Sequence, residues 1–221
     1  MVRSLPEHTI DAWVAVSICT TFPDALIWAP TPRNLSSGWD YGAELGDGKT
    51  FLLENKATEL LKSGSDHEIK IGHKQLNQYC TLTKLTGHPP LFYVLPNPPW
   101  LVQPNQTDPV PLEAAHRIVP VPFGDWTWVV SCLDLKKYVG RKKSIRTSTL
   151  PSTGWSTLSK FLQEVKACNI VPKIQGNVVD RSDLNVGTQD DQQLQHNDTL
   201  LAVFVPKENL PNWDGRDPVA T

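Results

Sequence analysis

Residues 51–58 read FLLENKAT. Phe51-Leu52-Leu53 is a short apolar run of strand type, yet it leads directly into Glu54-Asn55-Lys56. Side chains along a strand alternate between faces. Leu52, Glu54 and Lys56 therefore share one face, and Phe51, Leu53, Asn55 and Ala57 share the other. A carboxylate and an ammonium project together from the end of an otherwise apolar strand. Taken alone, the triplet fits a solvated strand end as well as a pair of charges held for chemistry. The sequence around it has to separate the two.

Upstream, GWDYGAEL (38–45) alternates, with Trp39, Tyr41, Ala43 and Leu45 on one face and Asp40, Gly42 and Glu44 on the other. Gly46-Asp47-Gly48 divides this run from the next, which is a hairpin signal. A two-residue turn at Asp47-Gly48 sets Asp40 opposite Asn55, on the wrong face from Glu54. A three-residue loop, with Gly48 in its left-handed last position, sets Asp40 directly opposite Glu54. Facing carboxylates repel unless a cation or Lys56 sits between them. A chain with a use for that pair predicts the three-residue loop, with Asp40, Glu54 and Lys56 on one face.

The rest of the chain supplies the frame. SLPEHTIDAWVAVSICTT (4–21) predicts a helix, with Ser4 and Glu7 as a capping box and Ile10, Trp13, Val14 and Ser17 on one face. DALIWAP (24–30) predicts a strand. Ser65 and Glu68 resemble a second capping box, opening a helix that stops by Gly87, Pro89 and Pro90. PLFYVLP (90–96) is a compact apolar strand, followed by a Pro-rich connector. DWTWVVSCL (125–133) predicts a strand, STGWSTLSKFLQEVKAC (152–168) an amphipathic helix, and LLAVFVP (200–206) a last strand after a polar, loop-like stretch. The order helix, strand, hairpin, helix, strand predicts an α/β fold with a mixed central sheet flanked by helices. Residues 1–96 form its core, and 97–221 a less regular elaboration within one domain, 1–221.

Acid-x-Lys triplets recur in this chain, at Glu68-Ile-Lys70, Asp134-Leu-Lys136 and Glu164-Val-Lys166 among others. The first and last of these fall in predicted helices, where positions two apart do not share a face. Glu54-Lys56 has a partner strand that bears an acid, Asp40. The helix after it adds to the case. Ile69, Ile71, Leu76, Tyr79 and Cys80 form an apolar stripe with Gln75 inside it, and a buried amide needs partners. Gln75 and Tyr79, at i and i+4, meet on one side of the helix. Gln75 reaching solvent at the stripe's edge is the plainer alternative.

The net charge of −2 excludes a general polycation, so any polyanion must meet a local patch. LKKYVGRKKSIR (135–146) provides one, with Lys136, Lys137, Arg141, Lys142, Lys143 and Arg146. It reads equally as phosphate contacts or as a solvated loop. Cys19, Cys80 and Cys132 lie in apolar contexts and read as buried free thiols, and no CxxC pair signals zinc or redox chemistry. No apolar run approaches the ~18 residues that would span a bilayer, and MVRSLPEHTIDAW (1–13) has no continuous apolar stretch of the signal-peptide kind, so none is expected. The expectation is a cytoplasmic protein with no membrane partner.

WDYGAEL, then LLENKAT, then QLNQY, in this order and spacing, resemble the restriction-endonuclease-like, or PD-(D/E)XK, nuclease superfamily. The Gln75-x-x-x-Tyr79 helix is similar to that of its RecB-type branch. The match covers roughly residues 4–96, with Glu54 where that branch usually carries Asp; the superfamily accepts either acid. The resemblance implies a metal-dependent nuclease, most readily on DNA, in which Gln75 and Tyr79 shape the site. Phosphodiester hydrolysis needs a positioned water and relief of developing negative charge. Mg²⁺ or Mn²⁺ takes oxygen ligands, here Asp40, Glu54 and the Asn55 carbonyl. Lys56 steers the attacking water and offsets charge near the phosphate. Glu7 reads as an extra acid or only as half of its capping box. The alternatives are an inactive module of the same fold that binds nucleic acid or a protein partner, and an unrelated α/β protein. A homodimer or a place in a larger complex is compatible with all of these.

Overall fold

The apolar run at Phe51 is a strand buried along its entire length, Gly48–Asn55, and a strand buried on both faces needs a layer on each side. In the computed structural model, the described residues are 4–5, 7–28, 48–61, 66–84, 89–97, 123–151, 155–170, 173–174 and 199–213. They form an α/β protein with a mixed central sheet and four helices. In chain order the first part runs β1 (Ser4–Leu5), α1 (Glu7–Thr21), β2 (Leu26–Trp28), β3 (Gly48–Asn55), β4 (Thr58–Leu60), β5 (His67–Lys70), α2 (His73–Leu82) and β6 (Leu91–Pro96). Then come β7 (Thr127–Ser131), α3 (Cys132–Val139), β8 (Ser144–Arg146), β9 (Ser156–Thr157), α4 (Leu158–Lys166), β10 (Lys173–Ile174) and β11 (Thr199–Pro206).

The larger sheet has seven strands in the order β2-β11-β3-β6-β7-β9, with β10 paired to the start of β3. β3 and β6 are parallel and joined by a connection that contains α2; β11 runs antiparallel on the other edge of β3. Alternation divides the core into two layers. Phe51, Leu53, Val94, Leu201 and Val203 pack with Ile10, Val14 and Ile18 of α1 and with Phe161 and Val165 of α4. Leu52, Tyr93, Leu95, Ala202 and Phe204 pack with Leu76 and Tyr79 of α2 and Leu135 and Val139 of α3. A second sheet, β1-β4-β5-β8, begins where β3 ends.

The mixed sheet and the strands at 26–28, 91–96, 127–131 and 199–206 agree with the sequence reading. Several expectations are corrected. Ser4 lies in β1, paired with Glu59, so it does not cap α1, which starts at Glu7. The Ser65–Glu68 box opens no helix: Glu68 is on β5, held between β4 and β8, and α2 begins later, after Gly72. The stretch after Ser131 is a helix, because the Ser131 side chain accepts the Asp134 amide. Cys19 is exposed, whereas Cys80 and Cys132 are buried. The 97–221 portion is no appendage to a finished core: it places β11 between β2 and β3, and β7 beside β6.

The hairpin partner expected over 38–45 lies outside the described residues. Both flanks of β3 at Glu54 are nonetheless occupied, by Leu200 of β11 and Tyr93 of β6. The cross-strand register that puts Asp40 opposite Glu54 is therefore overturned. Gly48 is also not the left-handed end of a loop. It is the first residue of β3, and a Cβ there would lie 2.4 Å from the Val205 carbonyl oxygen. Close approach by β11 demands the glycine.

Candidate active site

The site forms where β3 runs out. Strand alternation aims Glu54 at the α2 layer, and Lys56, one residue beyond the strand, is fixed by its amide donating to the Val94 carbonyl at 3.1 Å. Glu54 is 0% and Lys56 2% exposed. The Lys56 Nζ donates to Glu54 Oε1 at 2.8 Å. From α2, Gln75 reaches both: its Oε1 accepts from Lys56 Nζ at 3.1 Å, and its Nε2 donates to Glu54 Oε1 at 3.0 Å. One turn on, the Tyr79 hydroxyl donates to Glu54 Oε2 at 3.0 Å and accepts from Gln75 Nε2 at 3.1 Å. Four predicted residues thus close into one hydrogen-bonded network.

Burying an ion pair costs several kcal/mol of desolvation per ion, offset only when the remaining donors and acceptors are satisfied. Gln75 and Tyr79 provide that satisfaction. They meet Glu54 because the connection carrying α2 lays the helix over the face that Leu52 and Glu54 share. Tyr93 completes the floor, and the sequence reading did not find it. It is the register partner of Glu54 on β6; its ring centroid lies 5.8 Å from Lys56 Nζ and 6.1 Å from the Tyr79 ring. The parallel β3–β6 register that puts it there has no local signature.

Of the other expected site residues, Asn55 and Glu7 are among the described ones. Asn55 turns its side chain to the α1 layer, where Nδ2 donates to Asp11 Oδ1 at 2.7 Å and Oδ1 has no hydrogen-bond partner among the described residues. Its amide is thus on the opposite face from Glu54. Asp40 lies outside the described residues. Glu7 is the first residue of α1, one turn before Asp11. Glu54 suits a hard divalent cation as one carboxylate ligand. Among the described residues no group of three or more His, Cys, Asp or Glu side chains forms a metal cluster.

Lys136, Lys137, Arg141, Lys142, Lys143 and Arg146 are all exposed. The turn that carries three of them docks on the start of α2: the Ile71 amide donates to the Lys143 carbonyl at 2.9 Å, and His73 Nε2 lies 2.7 Å from the Lys142 carbonyl oxygen. Two of the six are partly committed elsewhere. Lys137 pairs with Asp134 at 3.1 Å, and Lys142 Nζ lies 5.9 Å from the centroid of the Tyr138 ring. After β8, Asp66 clips the chain in place. It accepts from the Thr147 hydroxyl at 3.1 Å, the Ser148 hydroxyl, and the His67 amide at 2.8 Å. Burial raises the Asp66 carboxyl, but these hydrogen bonds outweigh it and hold the group below the usual carboxylate range. Burial pushes the His67 imidazole down, with the Asp66 charge opposing.

No protein-family model matches this chain, and no curated protein or solved structure matches it. No helix among the described residues is long and apolar enough to cross a membrane.

Proposed function

We propose that the chain is a divalent-metal-dependent nuclease of restriction-endonuclease-like architecture that hydrolyses phosphodiester bonds, with DNA as its first substrate. One observation carries the reading. A buried carboxylate and lysine, two residues apart at the end of a central strand, are bound by a Gln and a Tyr one helical turn apart on the next helix. That is the constellation the sequence resemblance implies, reached through tertiary contacts that no local pattern dictates.

Mg²⁺ or Mn²⁺ would be held by Glu54 and the Asn55 carbonyl, with Asp40 as the further ligand that the sequence resemblance implies, and would supply Lewis-acid stabilisation of the phosphate and leaving oxygen. Lys56 orients the attacking water and offsets charge near the scissile phosphate. Gln75 and Tyr79 fix the Glu54 carboxylate so that it needs no reorganisation during reaction. Lys142 and Lys143, whose turn docks on the start of α2, would hold backbone phosphates.

One observation favours a second reading, an inactive module of the same fold that binds nucleic acid or a protein partner. Both Glu54 oxygens already accept hydrogen bonds within the network, and Glu54 is the carboxylate that the described residues supply there. Incubation with linear DNA, circular DNA and RNA, in Mg²⁺, Mn²⁺ or EDTA, separates the two. Metal-dependent cleavage that Glu54→Ala and Asp40→Ala abolish is expected; binding without cleavage selects the inactive module.

A further inference from the structure

We infer that Tyr93 is the positioning residue for Lys56, setting the ammonium through the face of its ring; this deepens, and rests on, the nuclease reading above. Three contacts converge on Tyr93. Its backbone is in register with Glu54 across the parallel β3–β6 ladder, so the two side chains leave the sheet on the same face. Its ring centroid lies 5.8 Å from Lys56 Nζ, inside the ~6 Å reach of a cation–π contact. The same ring tilts 53° against that of Tyr79, which binds Glu54.

Lys is a flexible side chain, a compact charge on a four-carbon stem with three rotatable donors. Lys56 Nζ spends donors on Glu54 Oε1 and Gln75 Oε1, which lie on the sheet strand and the helix respectively. The Tyr93 ring adds an attractive surface from a third element, β6. It also excludes water, since Tyr93 is fully buried. In so dry a place the ring quadrupole acts at nearly full strength. Tyr93 itself touches neither phosphate nor metal; it acts through Lys56. Loss of the ring should therefore reduce turnover and leave substrate binding alone.

The test compares Tyr93→Leu and Tyr93→Phe with a series of progressively fluorinated phenylalanines at position 93, which keep the ring's shape and drain its negative face. Tyr93→Leu is expected to lower kcat about tenfold with KM unchanged. Tyr93→Phe should restore most of it, and kcat should fall stepwise with each added fluorine. Independently of activity, the Lys56 ε-methylene NMR signals, assigned through Lys56→Arg, should lose a ring-current shift in Tyr93→Leu. Should Tyr93→Leu fail to fold, the fluorinated series still decides, because it preserves volume. Unmoved Lys56 signals, a flat fluorine series, or a Phe variant as impaired as Leu overturns the proposal. If the wild-type protein cleaves no nucleic acid, the nuclease reading fails while the NMR signals still decide the contact.

Discussion

Two polar clusters in this molecule each join segments far apart in the chain, and they do so at different cost. At the end of β3, Glu54 and Lys56 are dry and are joined to each other, to Gln75 and to Tyr79 in one network. At the rim of the second sheet, Asp66 gathers Thr147, Ser148 and the His67 amide while itself half-buried. A rim carboxylate is cheap to place and serves as a clip for the chain after β8. A core ion pair is weak as a stabilising device, since packed apolar residues of similar volume do as well or better. Its presence calls for a use beyond stability, and the proposed chemistry provides one.

The largest test of that contrast removes one charge from each cluster. Lys56→Ala strands the buried Glu54 carboxylate and should cost about 3–5 kcal/mol in urea unfolding. Asp66→Ala should cost about 1–2 kcal/mol, because water at the rim replaces much of what its several hydrogen bonds supply. Equal costs would erase the distinction between core pair and clip. Next in size is Tyr79→Phe, which deletes one hydroxyl donor to a buried carboxylate and should cost about 1.5–3 kcal/mol in the same experiment.

pH separates the clusters further. The unfolded chain takes up a proton at His67 near pH 6.5, while the folded chain resists because burial pushes the imidazole down. Its contribution is therefore complete above about pH 6.5 and declines below it. The Asp66 carboxyl, held low by its donors, contributes above about pH 4 and is lost as pH falls further. Melting temperatures at pH 7.5, 5.5 and 3 should show both steps, with His67→Phe removing the upper and Asp66→Asn the lower. The smallest stability effect belongs to the basic turn. Lys142→Gln with Lys143→Gln should leave unfolding within ~0.5 kcal/mol of wild type, yet weaken DNA binding at low salt and flatten its salt dependence.

What could be read from the sequence was what short spacings encode. Glu54 and Lys56 share a face because they are two apart on a strand, and Gln75 and Tyr79 meet because they are four apart on a helix. The apolar runs at Leu91–Pro96 and Thr199–Pro206 announced strands without announcing neighbours. β11 pairs with β3 across more than 140 residues of chain, and nothing local in either strand states that choice. It nevertheless takes the place that the Asp40 strand was expected to fill. His67–Lys70 looked helical from Ser65 and Glu68, and pairing on both sides overrode that signal. The α3 helix, by contrast, carries a local start signal. Ser131-Cys-Leu-Asp134 is a Ser-x-x-Asp start, and the structure shows Ser131 Oγ donating to Asp134 Oδ2 at 2.7 Å as well as accepting the Asp134 amide. Cys19 is exposed, against expectation, because α1 is apolar on its outer face too, where Val16 is also exposed.

The central claim is that Glu54 is held in its network to bind a catalytic cation, and Glu54→Gln addresses it with least disturbance. The substitution keeps the shape and the acceptor for Lys56, puts an amide donor where Tyr79 now finds an oxygen, and removes the charge. The measurement is cleavage of supercoiled DNA in Mg²⁺ by wild-type and Glu54→Gln proteins of matched circular dichroism and melting profile. The account predicts cleavage by wild type, abolished by EDTA, and none by Glu54→Gln. Undiminished cleavage by the folded Glu54→Gln protein would contradict it.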